Sequence, residues 1–105
     1  MSIIKSDIRI GTIVKAEEFP EARKPAYKVW VDLGPEFGIK KSSAQITKLY
    51  VLDELIGKQV VCVCDLEPRQ VGPFMSEILV TGFETDNGVV LTEVNQQVPN
   101  GTKLS

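Results

Sequence analysis

Apolar and polar residues alternate along the first part of the chain, from residue 8 to residue 16, and only Ile13 breaks the two-residue period. This period puts apolar side chains on one face of an extended chain, so the pattern predicts a long first strand. Gly11 lies inside this strand, where a glycine commonly marks a bulge or a sharp bend. A bent first strand is what a small barrel requires.

Two more strands are predicted after a loop. Residues 17–25 carry two prolines and several charges, which favour a loop over continued strand pairing. Alternation returns at residues 27–33 and ends at Gly34, and a short third strand follows at residues 37–41. Trp30 falls on the polar side of the second strand. Two interpretations of Trp30 stay open: a ligand platform or subunit contact, or a rim residue that a neighbouring loop covers.

Helical spacing appears in the middle of the chain. Apolar residues recur at intervals of three and four residues at Ile46, Leu49 and Tyr50. Ser42 or Ser43 precedes them and is suited to cap a first helical turn. The sequence therefore predicts a helix that begins just after these serines.

The second half of the chain is predicted to return to strands. A further short helical turn at residues 53–56 stops at Gly57. Strands are expected at residues 59–66, 77–83 and 89–94, and a Thr-Asp-Asn-Gly turn separates the last two. The predicted order is therefore three strands, a helical connection and three strands.

This order fits the OB-fold, a five-stranded barrel. We therefore predict an all-β protein with one short helix: a five-stranded OB-fold barrel with an additional C-terminal strand and terminal extensions. A β-sandwich with the same number of strands fits less well, because the helix interrupts the meander where an OB-fold expects it. OB-folds bind ligands on strands 2 and 3 and on the loops after strands 1 and 4. Here those loops are residues 19–26 and 67–76.

Size and composition indicate one globular domain. A chain of 105 residues matches an ordinary single domain, so we assign residues 1–105 to one unit. Hydrophobic residues make up 43% and charged residues 25%, which is typical of a packed globular protein. The formal net charge of -2 supplies no long-range positive field, so nucleic-acid binding would need a local basic patch.

Catalysis and membrane insertion are not expected. The chain contains no histidine, the commonest general base, and no Gly-rich phosphate loop, nucleophile elbow or paired-carboxylate motif. We therefore expect no enzymatic activity and no cofactor. No apolar run approaches the roughly 18 residues that span a bilayer, and no signal-peptide segment precedes the first strand. We therefore expect a cytoplasmic protein.

The two cysteines stand two residues apart in an apolar run, so in a strand both side chains point to one face. A redox pair or half of a metal site is one interpretation of Cys62 and Cys64. A strand, however, holds the two Cα atoms roughly 6.5 to 7 Å apart, at the upper limit for a disulfide. No further cysteine or histidine is present to complete a zinc site. We therefore favour buried thiols that act as small hydrophobic side chains and expect no metal.

Both predicted recognition loops mix apolar side chains with cations. The first carries Phe19, Arg23 and Lys24, and the second carries Arg69 and Phe74. This combination suits a binding rim, since aromatic rings supply surface that is easily desolvated and arginine can stack or form paired hydrogen bonds. The alternative is that the two phenylalanines cap the ends of the barrel while the cations stay solvated. Further positive charge on or beside the second and third strands comes from Lys28, Lys40 and Lys41.

Several stretches of the chain resemble the CsaA branch of the tRNA-binding-domain family. They are Asp-Ile-Arg-Ile-Gly-Thr-Ile-Val at residues 7–14, Phe-Pro-Glu-Ala-Arg-Lys-Pro-Ala-Tyr at 19–27, Ser-Ser-Ala-Gln-Ile-Thr at 42–47, Pro-Arg-Gln at 68–70, Phe-Met-Ser-Glu at 74–77 and Val-Pro-Asn-Gly-Thr-Lys at 98–103. The first stretch alone would indicate only the wider family, which includes domains of some methionyl- and phenylalanyl-tRNA synthetases. The second is long and unusual in composition, so it makes the resemblance specific.

The resemblance implies an OB-fold and a homodimer. Extensions at both ends of the barrel, residues 1–6 with Ile3 and Ile4, and residues 95–105, are expected to help form the dimer. The resemblance further implies a chaperone with export-related activity, with unfolded polypeptides or preproteins bound in a groove on each subunit and the export machinery as a further partner. The alternative is a module that binds structured RNA such as tRNA through the same face.

Carried over to matching positions, the resemblance implies a peptide- or RNA-binding site on both loops and the third strand. Its residues are Phe19, Arg23, Pro25, Tyr27, Lys40, Ser42, Ser43, Gln45, Arg69, Phe74, Met75, Ser76 and Glu77. Wider-family tRNA binders commonly carry more basic residues and a Ser-x-Gly-Met-like arrangement here. The order Met75-Ser76-Glu77 departs from it and brings a carboxylate into the expected groove, which favours a polypeptide over tRNA.

Overall fold

Nine strands and one short helix form within residues 4–105, the part of the chain that the computed structural model describes. The expectation that Ile3 takes part in a dimer lies outside the described residues. The elements are β1 (Ile8–Glu18), β2 (Tyr27–Asp32), β3 (Ile39–Ala44), α1 (Leu52–Leu55), β4 (Gln59–Val63), β5 (Arg69–Val71), β6 (Phe74–Ser76), β7 (Leu79–Val80), β8 (Gly82–Thr85) and β9 (Gly88–Leu91).

Five of these strands form a nearly closed barrel, as predicted. They lie in the order β3-β2-β1-β4-β7 in one antiparallel sheet. The barrel closes where the chain just before β7 reaches β3, and there the Glu77 amide donates a hydrogen bond to the Lys41 carbonyl at 2.8 Å. The prediction of an OB-fold barrel with one short helix is confirmed.

Strand β1 serves both sides of the barrel, because its first half pairs with β4 and its second half with β2. The register against β2 shifts between Ile13 and Lys15, so the bulge follows Gly11 rather than coinciding with it. Gly11 is required for a different reason. A Cβ atom at this position would lie 2.4 Å from Val31 Cγ1, so only glycine allows β1 and β2 to approach this closely.

The core is filled by the inward faces of the barrel strands. In β2, Tyr27, Val29 and Val31 are buried while the residues between them are only partly covered, which is the predicted alternation. Ile13, Leu33, Leu55, Val60 and Cys62 complete the fully buried layer.

The helix predicted after Ser42 and Ser43 is wrong. Both serines belong to β3, which runs to Ala44, and the helix lies later, at Leu52–Leu55. The three- and four-residue spacing arises from a turn, in which Ile46 is buried and Tyr50 is held by hydrogen bonds. The Tyr27 hydroxyl donates to the Tyr50 carbonyl at 2.8 Å, and the Leu91 amide donates to the Tyr50 hydroxyl at 3.0 Å. Tertiary contacts therefore fix these residues without helical pairing.

Two other predicted elements differ in detail. The connection at residues 67–76 is a hairpin of β5 and β6, which turns at Gly72 with φ of 55°. The strand predicted at residues 77–83 is divided: β7 joins the barrel, whereas β8 leaves it to pair with β9 in a two-stranded ribbon. The division lies at Thr81, whose amide donates to the Val61 carbonyl and whose carbonyl accepts from the Thr92 amide.

The C-terminal tail lies along β1 of the same chain. Ile10 donates to the Thr102 carbonyl at 3.0 Å, and the Gly101 and Leu104 amides return hydrogen bonds to β1 at 2.8 Å. The Arg9 guanidinium donates to the Gly101 carbonyl at 3.1 Å and to Asp7 at 2.8 Å. The family-like stretches at the two ends of the chain therefore hold each other in place.

Within residues 4–105, the helix that forms is far below the length and apolar content that a bilayer crossing demands.

Candidate functional site

The two loops predicted to form the binding rim meet on the outer face of the barrel. The rings of Phe19 and Phe74 contact each other edge to face, with centroids 5.4 Å apart, and Trp30 contacts Phe74 in the same way at 5.8 Å. Phe19 is 3% and Phe74 7% exposed. We call these three side chains the aromatic cluster. It is a second small core that ties both loops to the sheet.

Lysines from β1, β2 and β3 cover the aromatic cluster. Lys15 lies 4.5 Å from the Trp30 ring centroid, and Lys28 and Lys41 lie 5.4 and 5.2 Å from the rings of Phe19 and Phe74 respectively. These are favourable cation–π distances. Since Phe74 and Lys15 both pack on Trp30, the structure favours the interpretation of Trp30 as a covered rim residue.

A cleft of about 530 Å³ opens between the first loop and the β5–β6 hairpin. Arg23, Lys24 and Arg69 line it and are exposed, and Glu21 is the acidic residue in its wall. None of the three cations takes part in the ion pairs formed within the described part of the chain. We call this space the cationic cleft. Its charge suits an anionic group of a ligand.

A second space of about 520 Å³ adjoins the cationic cleft. Its walls include the apolar side chains of Leu66, Val71, Leu79 and Val89, and we call it the apolar trough. The trough runs between the end of β3 and the segment from Ser76 to Gly82. Ser43, Gln45, Arg69 and Val71 line both spaces, so the trough and the cleft lie side by side, and we call the two together the groove.

The edge of β3 beside the groove is capped by side chains. The Lys41 amide donates to the Glu77 carboxylate at 3.1 Å, and the Ser43 amide donates to the Ser76 hydroxyl at 3.1 Å. The Ser76 hydroxyl in turn donates to the Ile78 carbonyl at 3.4 Å. The carboxylate that the sequence brings into the groove is therefore held by the backbone of β3. We call this line of contacts between β3 and residues 76–78 the seam.

The structure brings together some of the predicted site residues and separates others. Six line the groove: Arg23, Ser43, Gln45, Arg69, Ser76 and Glu77. Four are buried beneath it or in the barrel: Phe19, Tyr27, Ser42 and Phe74. Pro25 and Met75 are exposed outside its lining, and Lys40 borders a further space of about 340 Å³ that shares Leu66, Glu77 and Ile78 with the trough. Which of these residues contact a ligand stays a prediction.

The cleft is also lined by Lys24, which the sequence indicated as a cation of the first recognition loop. Leu79 and Val89, which line the trough, were not predicted. For Leu79 the signal was alternation, because it stands next to the buried Val80 and is 47% exposed.

The two cysteines are free thiols, of which Cys62 is buried and Cys64 is partly buried. Burial raises the pKa of Cys62 from 9.0 to about 12 and that of Cys64 to about 11. Both thiols therefore stay protonated near neutral pH, and a protonated thiol is a poor nucleophile and a poor metal ligand. This favours the interpretation of Cys62 and Cys64 as hydrophobic side chains.

Comparison with known proteins identifies the family. The model of the family described as "Putative tRNA binding domain" matches residues 8–103. The methionine–tRNA ligase of Methanocaldococcus jannaschii is 34% identical over 95% of this chain, and that of Methanococcus maripaludis is 32% identical over 93%. The chain spans only 15% and 14% of the lengths of these two ligases.

Solved structures show the same fold. The chaperone CsaA from Bacillus anthracis is 50% identical with a TM-score of 0.88, and covers 95% of this chain and 91% of its own. The CsaA chaperone protein from Picrophilus torridus is 44% identical with a TM-score of 0.91, over 96% and 92% of the two chains. A MetRS-related protein from Pyrococcus horikoshii is 26% identical with a TM-score of 0.82 over both full lengths. The chain therefore belongs to the tRNA-binding-domain family and is similar to the CsaA chaperones within it.

Proposed function

We propose that this protein is a homodimeric chaperone that binds extended segments of unfolded polypeptides in the groove and catalyses no reaction. The observation that carries the proposal is that the apolar trough and the cationic cleft lie side by side and share four lining residues. The trough offers surface that becomes desolvated when apolar side chains enter it, and the cleft offers charges that select and orient a chain. The likeness to solved CsaA chaperones supports the same conclusion.

Binding of a permanently unfolded protein tests the proposal. Reduced, carboxymethylated α-lactalbumin serves as the probe, and its affinity is measured by fluorescence anisotropy. Leu79→Lys puts a charge into the trough and is expected to weaken binding by roughly tenfold or more. Val14→Lys is the matched control, since Val14 is 42% exposed, close to the 47% of Leu79, and lies outside the groove lining. Equal affinities of the two variants would contradict the proposal.

RNA binding is the second candidate, favoured by the three unpaired cations of the cleft and by the family model. Three phosphate contacts would release counterions, so affinity for tRNA would fall by roughly tenfold or more between about 50 and about 200 mM salt. Polypeptide binding carried by the trough should change only a few-fold over the same range, because apolar burial is insensitive to screening. Titration of both ligands at the two salt concentrations separates the candidates.

The dimer belongs to the same proposal. Phe83 and Val90 are directly paired on the β8–β9 ribbon and are 68% and 42% exposed, so together they form an apolar patch that a second copy of the chain would cover. Leu104 of the tail is 44% exposed. Sedimentation velocity is expected to give a dimer for the wild type and a smaller species for Phe83→Glu. Val51→Glu, a change at a residue 64% exposed, is the control that should leave the sedimentation coefficient unchanged.

The finer biological role is also a proposal. We place the protein in the cytoplasm, with preproteins among its clients and the export machinery as a further partner, on the strength of its resemblance to the CsaA branch. Depletion of the protein in its host should then slow the export of a subset of secreted proteins. Unchanged export kinetics for all secreted proteins would remove this part of the proposal.

A further inference from the structure

The seam differs from the other strand contacts of the barrel because side chains replace part of the backbone ladder. Elsewhere in the barrel sheet, neighbouring strands pair through antiparallel backbone ladders, for example β2 with β3 over six residue pairs. At the seam one backbone hydrogen bond remains, from the Glu77 amide to the Lys41 carbonyl. The amides of Lys41 and Ser43 are both capped by side chains. The edge of β3 is therefore satisfied without a partner strand.

The Ser76 hydroxyl occupies the position of a missing backbone unit. It accepts a hydrogen bond from the Ser43 amide on β3 and donates one to the Ile78 carbonyl on the opposite side of the seam. An incoming extended chain offers the same pair of functions, a carbonyl to accept and an amide to donate. A hydroxyl group held at the end of a short side chain is displaced more easily than a strand.

The apolar trough lies beside this capped edge. Its lining includes Ser43 and Ser76 themselves, so a chain in the trough passes directly along the seam. Leu79 and Val89 would receive alternate side chains of such a chain, because side chains of an added strand point to opposite faces with a period of two. Peptides that add a strand to an exposed sheet edge gain affinity from the backbone and specificity from pockets for alternate side chains.

Charge complementarity sets the chemistry of the occupant. The trough adjoins the cationic cleft, where Arg23, Lys24 and Arg69 form no ion pair with any described residue. A carboxylate on the bound chain would pair with these cations, and arginine can hold it with two parallel hydrogen bonds. A chain with a cationic side chain at the same point would be repelled.

We propose that the groove binds its polypeptide as an added strand in the seam, with the ligand backbone displacing the Ser76 hydroxyl and a ligand carboxylate entering the cationic cleft. The ligand carbonyl accepts from the Ser43 amide, and its amide donates to the Ile78 carbonyl. Entry of the chain also breaks the hydrogen bonds between Lys41 and Glu77, because a strand needs roughly 4.7 Å on each side. This inference rests on the proposed polypeptide-binding function and adds the mode of recognition and the charge of the ligand.

Ser76→Ala distinguishes two possibilities: the ligand displaces the Ser76 hydroxyl, or the hydroxyl forms a hydrogen bond with the ligand. The substitution removes two hydrogen bonds that exist only in the free protein, so it raises the free energy of the free state alone. Affinity for reduced, carboxymethylated α-lactalbumin is then expected to increase by roughly two- to fivefold. An unchanged or reduced affinity overturns the displacement of Ser76, provided that circular dichroism shows the variant to be folded.

Synthetic peptides test the added strand on the wild-type protein, so that the folding of a variant does not matter. The probe is a fluorescein-labelled, amidated peptide of alternating threonine and valine that ends in two glutamates. N-methylation of one alternate set of backbone nitrogens should weaken binding by roughly threefold or more, and N-methylation of the other set should change it little. Equal losses for both sets overturn the added strand. Replacement of both glutamates by lysines should weaken binding by roughly tenfold or more, and equal affinity overturns the carboxylate assignment.

The outcomes distinguish this inference from the proposed function. If unfolded α-lactalbumin binds and Leu79→Lys abolishes binding, but the N-methyl peptides show no alternation, the function stands and the added strand fails. If neither α-lactalbumin nor the peptides bind while tRNA binds with steep salt dependence, both fail and the cationic cleft is an RNA site.

Discussion

At the residue scale, Cys62 is a group whose ionisation opposes folding. Its side chain is fully buried in the barrel core, and burial raises its pKa from 9.0 to about 12. The folded state therefore keeps the thiol proton at a pH where the unfolded chain has already released it. The stability linked to this group is fully present below about pH 9 and is lost as the pH rises toward about 12.

Cys62→Ala should remove this pH dependence. The free energy of unfolding of the wild type is expected to fall, relative to that of the variant, by about 2 kcal/mol between about pH 9 and about pH 11. Lysine and tyrosine titrate in both proteins, so their effect cancels in the difference. Urea unfolding at a series of pH values measures the difference in the free energy of unfolding between the two proteins. A difference that stays constant with pH would show that folding does not raise the pKa of the Cys62 thiol.

At the proposed binding site, residue patterns predicted which loops meet but not which side chains are buried. The loop sequences predicted that Phe19 and Phe74 converge, and their rings are in contact. They did not predict that both rings face inward, since that depends on the β5–β6 hairpin folding over the outer face of the sheet. The exposed Leu79 was missed because alternation assigns a side chain to a face without showing whether another element covers that face.

At the element scale, strands with a clear two-residue period were predicted well. β1 and β2 were placed correctly to within about two residues, a usual uncertainty at strand ends. The helix expected after Ser43 was wrong because burial of Ile46 and the hydrogen bonds of Tyr50 reproduce helical spacing in a turn. β5 and β6 were missed because strands of three residues are too short for a period to appear.

The tail is the element whose docking depends on single glycines. Gly101 has φ of 89°, and a Cβ atom there would lie 2.5 Å from the Leu33 carbonyl oxygen. Gly38 also has positive φ, at 70°, but a Cβ atom there would meet nothing within 4 Å. An L-residue would therefore be strained at either position, but only at position 101 would its Cβ atom also clash with a neighbouring atom.

Gly101→Ala should cost more stability than Gly38→Ala. Gly38→Ala is expected to lower the free energy of unfolding by about 1 kcal/mol, through backbone strain alone. Gly101→Ala is expected to cost at least about 1 kcal/mol more, since the tail must move away from Leu33. Urea unfolding measures both, and hydrogen exchange of the Ile10 amide, which donates to Thr102, reports release of the tail. Equal losses of unfolding free energy in the two variants, with an unchanged exchange rate of the Ile10 amide, would show that the tail does not depend on the close approach of Gly101 to Leu33.

At the scale of the whole molecule, the groove arises where three separate parts of the chain meet. The first loop supplies Arg23, the end of β3 supplies Ser43, and the hairpin with the chain after it supplies Arg69 and Ser76. The order of predicted strands was enough to bring these segments to one side of the barrel, which is why they were predicted together. The seam was not predictable, because β3 and β7 are the two ends of the barrel sheet and residue patterns do not show how closely those ends approach.

The most direct test of this account is the location of bound polypeptide on the protein in solution. Amide chemical shifts of the nitrogen-15-labelled wild type are followed while reduced, carboxymethylated α-lactalbumin is added. The largest chemical-shift changes are expected along the groove, at the amides of Ser43, Gln45, Arg69, Ser76 and Leu79. Changes confined to the β8–β9 ribbon or the C-terminal tail, with the groove amides unmoved, would contradict it.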